Sequence, residues 1–200
     1  MRRTAKMGAV LALSVAAGCR HRTDSAMSAA CAPAAQQAPA EMDLAQLNGG
    51  YTVTFVATEG PKAGQTVSGR LMLRAQEPAL VSVPYADSNT VVNQPVIGTL
   101  DVATDDIGAI RMGDLMATDA ALPGVGVYVA SRRGGPITGV VARVGSGSNG
   151  RGLMAFDGGY FTLFVGRVGP GGIWGGWASS TGTTVTSDAR GHFCAEKLPG

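Results

Sequence analysis

From residue 50 onward, apolar and polar positions alternate with a period of two through most of the chain. In "YTVTFVA", Tyr51, Val53, Phe55 and Ala57 fall on one face and Thr52, Thr54 and Val56 on the other, the mark of a strand. "TEGPKAGQ" turns the chain, and "TVSGRLMLR" then sets Val67, Gly69, Leu71 and Leu73 against Ser68, Arg70, Met72 and Arg74. The two runs predict a hairpin with a longer loop. Residues 76–94, which include Pro78 and Pro84, carry no clear pattern and read as a connection. "PVIGTLDV" predicts a third strand, and "ATDDIGAIRMGDLMA" a helical turn or two capped by Thr104 or Asp105. A second hairpin has strands over 125–131 and 137–144, with Arg132 and Arg133 at its tip. "GRGLMAF" is strand-like. "YFTLFVGRV" is apolar on both faces, which predicts a strand buried on both sides or covered on its outer face. "IWGGWASS" and "GHFCAEKL" are the last two strands.

Strands joined by short turns, with little helical signal and no strand-helix-strand alternation, define an all-β, antiparallel fold. The candidates are a sandwich and a closed up-and-down β-barrel of about eight strands. Closure removes the exposed edges that a long meander leaves, so the barrel is the expected form. Glycines at 69, 98, 139, 166, 175 and 176 fit strands that must bend at barrel corners.

Ahead of this domain the texture differs. Arg2, Arg3 and Lys6 precede "MGAVLALSVAA", and small residues follow, the layout of a secretory signal over 1–18. The run is short of the roughly 20 apolar residues that a permanent membrane span needs. Residues 19–45 are rich in Ala, Pro, Gln and Ser, lack an apolar period and predict a flexible tether, leaving 46–200 as the barrel domain. The formal charge of +2 comes from 16 cations against 14 acids. Without the signal's three cations the chain is nearly neutral, which argues against nucleic acid as a partner.

Candidate chemistry is sparse. "GSGSNG" at 145–150 matches G-x-G-x-x-G, but "RGLMAF" follows it where a dinucleotide site needs a helix. Asp101, Asp105, Asp106 and Asp114 lack the spacing of a calcium loop and read as a solvated connection. The two histidines, His21 and His192, form no zinc pair, and no Gly-x-Ser-x-Gly elbow offers a nucleophile. The expectation is therefore a non-enzymatic protein with no catalytic residues, metal or cofactor. Trp174 and Trp177, three residues apart on one strand, should point to opposite faces. They read as one core residue and one shield over the sheet, or as an aromatic wall for an apolar ligand or a partner.

"SVAAGC", residues 14–19, resembles the lipobox of bacterial lipoproteins. That resemblance implies that Cys19 is acylated, carrying palmitate-like chains, and becomes the mature N-terminus. With Arg20 and not Asp after the cysteine, it implies sorting to the outer membrane of the cell envelope. The meander with "GGW" is similar in architecture to lipocalin-type barrels. Their Gly-x-Trp lies on the first strand, whereas Gly175 and Trp177 lie on the penultimate one, so no binding residue carries over.

If Cys19 is spent on lipid, Cys31 and Cys194 remain as an even pair in an oxidising compartment. With Phe193 inward, Cys194 faces outward, where a tether folded back along the outside of the barrel could meet it. The other reading leaves Cys194 as a small buried side chain and Cys31 as a free thiol. The expected protein is a monomeric, membrane-anchored extracytoplasmic lipoprotein, serving as an envelope interaction or accessory module. The alternative is a binding protein for a small apolar ligand or lipid inside the barrel. Interior volume separates the two, since eight strands enclose a space that side chains either fill or leave open.

Overall fold

The computed structural model describes residues 31–81, 88–102, 122–145, 160–180 and 188–199. Among the described residues, eight strands follow one another around a closed antiparallel up-and-down barrel. They are β1 (Gly49–Glu59), β2 (Thr66–Val81), β3 (Thr90–Asp101) and β4 (Gly124–Arg132), then β5 (Ile137–Val144), β6 (Tyr160–Gly169), β7 (Gly172–Ser180) and β8 (Ala189–Lys197). β8 closes the barrel on β1, pairing Phe193 with Phe55 and Cys194 with Thr54.

The period of two decides what enters the lumen. Tyr51, Val53, Phe55 and Ala57 of β1 are all buried, as are Leu71 and Leu73 of β2, while Arg70, Met72 and Arg74 face water. An aromatic cluster fills one part of the interior. Phe55 meets Phe161 edge-on at 5.7 Å and Phe193 at 5.8 Å, and Phe161 stacks on Trp177 at 5.3 Å. The Trp177 indole Nε1 donates to the Val56 carbonyl at 3.2 Å, so the one polar atom of the ring is satisfied.

β2 and β3 are longer than their patterns predict. The expected connection over 76–94 is partly strand: β2 runs on to Val81 and β3 begins at Thr90. The pairing register shifts between Ala75 and Ala79 and between Asn93 and Val96. A bulge breaks the period of two without ending the ladder, which hides the strand from a reading of alternation. The helical turns expected after residue 102, the strand "GRGLMAF" and the loop at 146–150 lie outside the described residues.

Residues 31–45 belong to the segment 19–45 that the sequence reads as a tether. Residues 31–45 do not stand free but lie on the barrel. Cys31 and Met42 are buried, and two single turns of 3-10 helix, Pro39–Glu41 and Leu44–Leu47, lead into β1. Asp43 caps the second turn by accepting from the Ala45 N–H at 3.1 Å. Leu47, 1% exposed, inserts into the core, and the Tyr51 hydroxyl donates to the Gln46 carbonyl at 2.7 Å. Sparse anchors at Met42, Leu44 and Leu47 do the ordering that composition alone does not reveal.

Two outcomes follow. Leu47→Ala should lower stability by about 2–5 kcal/mol, because it empties space inside a packed lumen. A urea midpoint within error of the parent would mean that the second turn does not plug the barrel. Burial also pushes the Tyr51 phenol above its usual value. The unfolded chain ionises this phenol near pH ~10 while the folded chain holds it neutral. Its contribution is thus complete below that pH and is lost as pH rises through the raised folded value. Urea unfolding between neutral pH and about pH 11 should show stability falling in the parent and less steeply in Tyr51→Phe. Equal slopes would contradict the assignment.

Candidate functional site

Among the described residues, one part of the lumen is closely packed. Between Leu47, Leu71, Val125, Leu163, Ile173 and Phe193 the remaining void is about 10 Å³, the size of a single water at most. Trp177 is buried in the lumen, 1% exposed.

The outer face differs. Cys31 and Cys194 form a disulfide with Cα atoms 5.4 Å apart, joining residues separated by 163 positions. Strand alternation aims Cys194 outward, level with Trp174 on β7 and Thr54 on β1. Trp174 packs with Val56 over the bridge, and the Arg167 guanidinium lies 5.5 Å from its ring centre. Trp174 thus lies on the outer face of the sheet, against the bridge on one side and bordering open space on another.

From the bridge, residues 31–38 run as a strap without helix or strand. Gln37 fixes the strap at a gap in the sheet. β5 pairs with β6 only between Val141↔Phe164 and Val144↔Phe161. Past Phe164, the Gln37 N–H donates to the Gly166 carbonyl at 2.8 Å, and its Oε1 accepts from the Val168 N–H at 3.1 Å. One glutamine therefore supplies hydrogen bonds that a longer β5–β6 pairing would have made.

Between strap and sheet lies a groove of about 280 Å³, bordered by Pro33, Ala34 and Gln36 on one side and by Phe164, Trp174 and His192 on the sheet. Register lines up Phe164, Gly176 and His192 across β6, β7 and β8. The missing side chain at Gly176 opens the middle of that row. Packing does not demand this glycine. A Cβ there would come within 3.5 Å of the Gly191 carbonyl, an ordinary contact, and one at Gly166 would have contacts of 3.5 Å or more. Gly175 and Gly191 are different, since a Cβ at either would overlap a backbone carbonyl and an aromatic ring. The outer face of β6 is also not covered as its apolar pattern predicts. Phe164 is 48% exposed.

Among the described residues, the Gln36 and His192 side chains make no hydrogen bond, and no three metal-ligating side chains cluster. Cys19, His21, Asp105, Asp106 and Asp114 lie outside the described residues. Of the residues singled out in the sequence, the fold brings together Cys31, Cys194 and Trp174, and holds Trp177 apart in the lumen. Reasoning from sequence missed Phe164, Gly176 and Gln36 as members of one site. Its single hint was the two-sided apolar pattern of β6.

The fold defines the class: a closed eight-stranded meander barrel with a disulfide-fastened strap. No protein-family model matches the chain, and no curated protein matches it in sequence. One solved structure, titled as EF1p2_mFAP2b bound to DFHBI, is similar at 12% identity and a TM-score of 0.34, covering 78% of this chain and 95% of that one. A score of that size carries no inference about a ligand of this chain.

Reduction should loosen the strap. In the chain-entropy treatment, a bridge closing so long a loop contributes about 5 kcal/mol. Cys194→Ala, or a dithiol reductant added to the parent, should lower the urea midpoint and raise amide exchange at Gln37 more than in β1. Unchanged exchange at Gln37 would show that its hydrogen bonds hold the strap without the bridge.

Proposed function

We propose that this chain is an acyl-anchored extracytoplasmic lipoprotein of the cell envelope, and that its barrel is a non-enzymatic interaction module working through its outer face. The observation that carries this reading is the groove of about 280 Å³ under the strap on the outer face, beside which the void around Leu47 in the lumen is only about 10 Å³. A ligand in the void beside Leu47 would have to displace that side chain or those packed around it, each at the cost of buried apolar contact. A ligand in the groove displaces nothing.

The anchor fits the same geometry. Eleven residues lie between Cys19 and the bridge at Cys31, and so short a chain spans at most about 40 Å. Acyl chains on Cys19 would therefore hold the barrel close to a bilayer surface, with two or more chains giving stable attachment. Growth with an alkyne fatty acid should label the parent and place it in the membrane fraction. Cys19→Ser should be unlabelled and released. A Cys19→Ser chain that stays labelled and membrane-bound would overturn the anchored reading.

A further inference from the structure

We infer that the groove under the strap is a binding site for a neutral saccharide ring. This rests on the reading that the outer face is the working surface.

The lining sets the chemistry. Among the described residues, none of those lining the groove is a carboxylate, lysine or arginine, and the nearby guanidinium of Arg167 is stacked on the Trp174 wall. The side walls are aromatic at Phe164 and Trp174, and the floor is glycine at Gly166 and Gly176. Polar groups stand on two sides. The Gln36 amide offers donors and an acceptor beside Gly166 on β6, and the His192 imidazole offers a donor and an acceptor on β8. β7 separates those strands, so the two sides stand roughly 10 Å apart. Neither group has a partner among the described residues. A ring with an apolar C–H face and a rim of neutral hydroxyls matches this layout. Its face lies against the Phe164 ring over the glycine floor, and its hydroxyls reach Gln36 and His192.

An extended peptide fits less well. Strand addition needs free backbone groups at a sheet edge. The groups past the end of the β5–β6 pairing, the Gly166 carbonyl and the Val168 N–H, are already taken by Gln37. A polar, ring-faced ligand needs no such edge.

The test uses the oxidised full chain carrying Cys19→Ser, which removes the anchor without touching the groove. It is titrated calorimetrically with neutral tetrasaccharides of glucose, of mannose and of N-acetylglucosamine, and with a proline-rich decapeptide. At least one saccharide should bind with 1:1 stoichiometry and a Kd of about 1 mM or tighter. Gly176→Leu fills the slot and should weaken that binding by about tenfold or more, with little change in thermal unfolding. Phe164→Ala, at an exposed position, should weaken it as well. No saccharide heat up to about 10 mM, undiminished binding by Gly176→Leu, or peptide binding lost in Gly176→Leu would each overturn the inference. Failure here with intact acyl labelling leaves the anchored reading standing. Lost labelling with intact saccharide binding does the reverse.

Discussion

The pairing of β8 with β1 is the constraint on which the rest depends. Closure fixes which side of every strand faces inward, because the register that sets Phe193 opposite Phe55 also sets Cys194 opposite Thr54. A slip of one residue would put Cys194 in the lumen and Phe193 in water. The aromatic cluster would lose Phe193, and the bridge to Cys31 would have no partner on the surface. The fill of the lumen and the fastening of the strap are thus two consequences of one register. The indole of Trp177 ties the same seam from within, through its hydrogen bond to the Val56 carbonyl of β1.

Strap and barrel also depend on each other at the other end of the segment. The ladder between β5 and β6 is only four pairs long, which would leave backbone groups of β6 without partners in a partly covered place. Gln37 meets two of them, and the turns that follow carry Met42 and Leu47 into the core. The strap is held by a covalent bond at Cys31 and by burial at Leu47, with Gln37 between. That spacing fixes Pro33, Ala34 and Gln36 above the sheet even though none of the three is itself buried.

Much of this was legible in the sequence where each residue's role depends on its own strand. Alternation in "YTVTFVA" and "TVSGRLMLR" gave the inward faces of β1 and β2, and alternation in "GHFCAEKL" gave the outward aim of Cys194. The bulges at Ala75–Ala79 and Asn93–Val96 escaped notice because they shift the period locally while leaving the hydrogen-bonded ladder in place. The packing of residues 31–45 escaped notice because a segment with so few large side chains has no periodic signal. Its order comes from two distant partners, Cys194 and the lumen. The groove was invisible for a related reason. Its row of Phe164, Gly176 and His192 runs across three strands, and no window of sequence contains it.

The groove is hard to explain as a by-product of folding. Glycine inside a strand costs stability relative to a residue with a side chain, on the order of 0.5–1 kcal/mol. At Gly191 and Gly175 that cost is forced, because a carbonyl and an aromatic ring occupy the place of the Cβ. At Gly166 and Gly176 nothing forces it, and Phe164, paired with Gly176 across the strands, stays half-exposed. Stability alone would favour filling the slot and shielding the ring. The chain instead keeps two unforced glycines and a half-exposed phenylalanine side by side, beneath a strap fastened by a disulfide. These features converge on one open, aromatic-walled surface that packing alone does not require.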